Sequence, residues 1–321
     1  TGSISLGSAA SIRSNGGNIV LAGGQDSNSD GTPDGYARGV GVAGIATTGS
    51  FAIESEAGSV TMRGRSNTQD GIGLSASTNG NITTSSGNIL IDGTSEETPA
   101  VSGSSDIGVR TGGGGLITID SGSGLINIAG RGARYAVGFG FLSNGSNEST
   151  TQTLIKSGSI SSSAITINGT GTSASPHGIS FRGASNKIYA TSAGGGITIT
   201  GDSPTYSTSV AAPLDILAVS GPIQWVNANS GSIYSYANNL ITIGSKAGIS
   251  GLTTSTSDLT LSLKNIDGTL PIFAIGTTGN VTIQGVNGTA AFGQAFNSSS
   301  FGFNANNQTM SNLVLGSAAN T

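Results

Sequence analysis

The chain has 321 residues, and 54 Gly, 51 Ser, 36 Thr and 25 Asn make up just over half of it. The absence of Cys excludes disulfide scaffolds and cysteine zinc sites. With 12 Lys and Arg against 16 Asp and Glu there is no surplus cation for a nucleic-acid backbone, and no run of 18 apolar residues offers a membrane span. Disorder is also disfavoured. Net charge is only −4, and 32 Ile, 18 Leu and 13 Val supply abundant apolar, largely β-branched side chains. The excess of Ile over Leu points to strands.

In chain order, one phrase recurs: a small residue, then alternating apolar and polar residues, then Gly or Asn. It appears at residues 17–23 (GNIVLAG), 58–64 (GSVTMRG), 87–93 (GNILIDG) and 115–120 (GLITID). It continues at 163–169 (SAITING), 196–201 (GITITG), 239–244 (NLITIG) and 279–285 (GNVTIQG). Each is a strand of period two closed by a residue that tolerates a sharp corner. Weaker apolar segments lie between, grouping the strands in threes. The triplets start near residues 40, 72, 107, 137, 179 and 216, in steps of 30 to 42 residues.

Three short strands per turn, each turn unable to bury its own apolar side chains, specify an all-β solenoid. We expect a right-handed parallel β-helix, one domain over residues 1–321, with about nine coils and loops inserted at one corner. At roughly 4.8 Å per coil the rod is about 40 Å long. The insertions are expected after the third strand, at residues 25–36, 94–106 and 202–213. A β-sandwich or propeller is the second choice, because its hairpins would favour two-residue Asn-Gly turns between neighbouring strands.

Alternation predicts the interior. Ile19, Leu21, Val60, Met62, Ile89, Ile91, Ile117, Ile119, Ile165, Ile167, Ile197, Ile199, Ile241, Ile243, Val281 and Ile283 should form one stack. Thr61, Thr118, Thr166, Thr198, Thr242 and Thr282 should form one outward column.

Phrases such as SNGGNIVLAGG (residues 14–24) and TGNVTIQG (residues 278–285) resemble the shafts of filamentous-haemagglutinin-like adhesins, the exoproteins of two-partner secretion in Gram-negative bacteria. The resemblance spans nearly the whole chain and rests on strand rhythm. It implies an exported β-helix at the bacterial cell surface, acting as stalk or adhesin. The secretion domain of such proteins carries Asn-Pro-Asn signatures. This sequence has no Asn-Pro pair, so a shaft segment or processed piece is expected. Strand phrases lie close to both ends, and further coils or copies of the same chain are the expected partners.

The sharpest chemical motif is DSNSDGTPDG, residues 26–35. Oxygen donors at alternate positions with Gly sixth resemble the calcium loops of EF-hands and thrombospondin type-3 repeats. Asp26, Asn28, Asp30 and Asp34 would be ligands, with the Thr32 carbonyl, and calcium would stiffen the loop. Ala37 stands where an EF-hand has its bidentate Glu. A solvated Asp/Gly/Asn turn is the alternative.

Catalytic signals are weak. Acids are scattered, and Glu96-Glu97 falls in an expected loop. Arg131 and Arg134 are read as turn residues near Tyr135, and His177, the one histidine, opens a strand after Pro176. Trp225, Tyr234 and Tyr236 form the densest aromatic cluster. They are either core of an enlarged coil or an adhesive patch for surface glycans or proteins. Phe292, Phe296, Phe301 and Phe303 are read as core or end packing. The threonine column is too irregular for ice binding. The eight Asn-x-Ser/Thr sites match what this composition gives by chance. A structural, extracellular rod is therefore expected. A carbohydrate-active β-helix enzyme, lyase or glycosidase, and a glycan-binding adhesin module are the alternatives.

Overall fold

The computed structural model describes residues 2–24, 35–96, 106–141, 149–172, 177–229, 232–235, 240–244, 255–263, 265–268, 272–285 and 311–315. Within them the chain is all-β and visits three sheets in rotation nine times. The fourth round is typical. Ile107–Gly112 joins the first sheet, Leu116–Asp120 the second and Ile126–Gly132 the third. Every pairing between rounds is parallel, as a parallel β-helix requires.

The third sheet keeps its register almost perfectly. Ile19, Val60, Ile89, Ile126, Ile165, Ile197, Ile223, Leu259 and Val281 form one inward column. Leu21, Met62, Ile91, Ile128, Ile167, Ile199, Trp225, Leu261 and Ile283 form the next. The third inward position is glycine for five coils: Gly64, Gly93, Gly130, Gly169 and Gly201. Here the wall meets the first sheet. A Cβ on these glycines would overlap the carbonyl oxygens of Gly71, Gly108, Ala136, Gly178 and Ser207 respectively. The column is glycine because no side chain fits between the two backbones.

Ile117, Ile119, Ile241 and Ile243 are buried as expected but belong to the second sheet. The expected single stack is therefore split over two walls. Ile53, Ile82, Ile119, Ile155, Ile188, Ile216 and Ile243 line the second wall, in register. Likewise Thr118 and Thr242 stand in the second sheet, apart from Thr61, Thr166, Thr198 and Thr282 in the third. The strand phrases of the two sheets read alike, so the sequence could not separate them. The inward side chains of all three sheets nevertheless make one continuous core.

Three boundary expectations need correction. Residues 202–213 are not an insertion, because Ile197–Ser203 and Tyr206–Val210 are strands. The seventh coil accordingly begins at Tyr206 rather than near 216. Its strand hides Ser207, Thr208 and Ser209, and that polar run disguised it. Thr94 and Ser95 still belong to a third-sheet strand, Ile89–Ser95. Finally, the long intervals are spread over more than one corner. They follow Ser95 (third to first sheet), Phe139 (first to second) and Ile243 (second to third).

Hydroxyls also serve the interior. At the corner between the second and third sheets, Ser55 Oγ donates to Gly17 O (2.9 Å), Ser121 Oγ to Gly124 O (2.6 Å) and Ser157 Oγ to Gly124 O (2.7 Å). Thr84 Oγ1 bonds Gly87 O in the same way. Each buried hydroxyl satisfies a carbonyl that the turn leaves off the ladder.

Candidate functional site

The proposed calcium ligands Asp26, Asn28, Asp30, Thr32 and Asp34 lie outside the described residues, but the base of their segment is defined. Ile19–Leu21 and Ala37–Gly39 both pair with Val60–Ser66. Leu21 faces Met62 and Ala37 faces Gly64, so residues 22–36 occupy the place of one strand position opposite Arg63. An antiparallel bridge, Gly23 to Gly35, closes the neck. A Cβ on Gly23 would sit 2.6 Å from Tyr36 O, and one on Gly35 2.6 Å from Gly23 O. The segment is thus inserted within a strand. Among the described residues no group of three or more His, Asp or Glu could hold a metal.

Trp225 is wholly buried, in line with Ile199 and Leu261. Its Nε1 donates to Thr208 Oγ1 (3.2 Å), and Thr208 Oγ1 donates to Asn227 Oδ1 (2.7 Å). Trp225 is therefore core and not part of an adhesive surface. At this coil Asn227 replaces the column glycine and its amide supplies the polar partner. Tyr236 and the four C-terminal phenylalanines fall outside the described residues.

Tyr234 belongs to an aromatic ladder along the first sheet. Tyr135 stacks on His177 at 5.0 Å, His177 on Tyr206 at 5.3 Å, and Tyr206 lies 4.7 Å from Tyr234. The rings cover one another's faces, which leaves edges rather than platforms for a ligand. Burial, with Arg182 and Arg134 nearby, pushes the His177 pKa down to about 3, so its imidazole is neutral at ordinary pH. Arg182 lies over Tyr135 and Phe141 and donates to Tyr135 Oη (2.9 Å). Arg134 also lies over Tyr135, whereas Arg131 is in the strand Ile126–Gly132 and not in a turn.

Close by, Arg110 and Asp70 form an ion pair with side chains only 7 % and 3 % exposed. Arg110 Nη1 also reaches Phe141 O (3.0 Å), and Asp70 Oδ1 accepts from Ile107 N (3.3 Å). The pair lies over Gly73, whose missing side chain makes room for it. On the second sheet Tyr189 Oη donates to Asp215 Oδ2 (2.6 Å). Burial raises the Asp215 pKa to about 6, against the lowering effects of Tyr189 and Lys187. Burial and Asp215 together raise that of the Tyr189 phenol.

Two surface cavities are lined by described residues. One, of about 540 Å³, is lined by Arg13, Asn15, Glu54, Glu56 and Ser85. Its carboxylates are engaged. Glu54 pairs with Arg13 at 3.1 Å, and the Asn15 amide nitrogen, turned toward Glu56, donates to both oxygens (2.8 and 3.1 Å). The other, of about 850 Å³, is lined by Tyr36, Arg65, Thr94, Ser95, Glu96, Arg131, Gly171 and Thr172. Glu96 bridges Arg38 (3.6 Å) and Arg65. The bond to Glu96 raises the Arg65 pKa further. Tyr36 Oη donates to Asp92 Oδ2 (2.7 Å), and its phenol pKa is raised by burial and then by that bond. Arg38, Arg65, Thr94 and Arg131 occupy one outward row in register. Linear reading missed the row because its members stand a whole coil apart. The signal was Arg or Thr recurring three positions beyond the apolar-x-apolar core pair, just after its glycine.

No protein-family model, curated protein or solved structure matches the chain. Among the described residues, no helix is long and apolar enough to cross a membrane.

Proposed function

We propose that the chain is a load-bearing rod segment exposed on a bacterial surface, part of an adhesin or extracellular filament of the filamentous-haemagglutinin-like kind. The observation that supports this reading most is the stack of nine coils around one core. Such a stack gives length and stiffness from repetition alone. Leu313, Val314 and Leu315 are exposed on the outermost described strand of the third sheet, where further coils or another copy could pair. Calcium on the residue 26–34 segment would stiffen it.

Antibody labelling of intact and permeabilised source cells tests the reading. Labelling of intact cells is expected, and labelling only after permeabilisation overturns it. Sedimentation of the purified chain across concentration tests self-association, and a strict monomer at every concentration removes that part. Calorimetric titration with millimolar Ca²⁺ tests the metal, and no heat removes it.

A further inference from the structure

We propose that the outer face of the third sheet, over the first to fifth coils, is a binding groove for a carboxylated oligosaccharide. Nothing in this site depends on the surface-rod reading. Four of the chain's 12 cations, Arg38, Arg63, Arg65 and Arg131, gather here around only two carboxylates, Asp92 and Glu96. The chain as a whole is net negative. The groove is therefore a local positive field on an acidic molecule.

The cations are placed for use. Glu96 holds the two guanidinium groups of Arg38 and Arg65 in position. Arg131 is exposed, and its guanidinium has no partner among the described residues. Arg65 and Arg131 stand two coils apart in the same row, roughly 10 Å at the backbone. Between them the groove offers hydroxyls rather than apolar surface. Thr94, in the row between them, is half-buried and lines the cavity. Thr172 Oγ1, also lining the cavity, is buried and has no hydrogen-bond partner among the described residues. Buried hydroxyls without partners are uncommon in folded proteins and mark a place where a polar ligand completes the bonding.

The same geometry selects the ligand class. A peptide binds an open face by adding to a free strand edge or by filling apolar pockets. The strands under this groove are paired on both sides, and its lining is polar. A nucleic acid needs a continuous cationic track, which Asp92 and Glu96 interrupt. A saccharide needs side-chain hydroxyls and planar donors, and a carboxylate on it finds the bidentate fork of Arg131.

Calorimetric titration of the whole chain decides the matter. The probes are short oligogalacturonates and oligoglucuronates, the neutral methyl ester of each, and an oligoglutamate peptide. Saturable binding of a uronate, lost in its methyl ester, is expected. Arg131→Gln should weaken that binding about tenfold or more. No saturable uronate binding, equal binding of the neutral ester, tighter binding of the peptide, or an unchanged affinity in Arg131→Gln would each overturn the proposal.

Discussion

The third and first sheets are built by the same chain in the same coils, yet they solve burial differently. In the third sheet the strands of the second to sixth coils are buried on one face and more open on the other, as in Val60–Ser66 or Ile89–Ser95. In the first sheet, coils four to six are buried on both faces: every residue of Ile107–Gly112, Tyr135–Phe139 and His177–Phe181 is hidden. The outer face of that sheet carries the Asp70–Arg110 pair, Phe141 and the aromatic ladder. Arg110 lies over Gly73 of the neighbouring coil, and Phe141 over Gly138 of its own. Regularity and exposure go together, because a face open to water needs only a simple alternation. Covering it demands particular large and small residues in neighbouring coils.

The contrast can be broken at its seam. Gly130→Val would drive side-chain atoms into the Ala136 carbonyl, where the two sheets touch. We expect loss of folding or a cost above about 4 kcal/mol, read by chemical denaturation. On the covered face alone, Arg110→Leu should cost about 3–5 kcal/mol, because Asp70 stays buried without its partner. The double variant Asp70→Leu/Arg110→Leu should recover much of that loss in the same assay. Inside the first sheet, Thr208→Val removes bonds to Trp225 and Asn227 and should cost about 1–3 kcal/mol, although it preserves volume.

The second sheet gives a smaller, pH-dependent effect. Asp215 is raised to about 6, from an ordinary value near 4, so folding favours its protonated form. That contribution is complete below about pH 4 and is lost as pH rises through about 6. Asp215→Asn should be more stable than the parent at pH 7, by on the order of 1 kcal/mol, and should match it near pH 4. Denaturation midpoints across that range measure it.

The difference between the sheets also explains what could be read from residues alone. Ile-x-Ile phrases declared the strands of the second and third walls without telling the two walls apart. The strand Tyr206–Val210 stayed hidden because its interior is Ser, Thr and Val, a composition shared with surface turns. Trp225 could be read either as core or as a surface aromatic beside Tyr234, and register places it in an isoleucine column. The arginine row was invisible for a geometric reason. Arg38, Arg65 and Arg131 are neighbours across coils and strangers along the chain. The buried Ser and Thr hydroxyls at the corners were equally illegible, since nothing local distinguishes a serine that caps a carbonyl from one facing water.

The glycine neck at Gly23 and Gly35 has a consequence for how such a shaft can vary. The two half-strands on either side keep their pairing as though only one residue separated them. Whatever is inserted there is therefore invisible to the ladder. Doubling the length of a flexible insert adds only about 0.6 kcal/mol of closure entropy. Sequence above the neck is free to change in length and chemistry while the coils beneath stay the same. The rod thus carries a socket whose contents can be exchanged without renegotiating the fold.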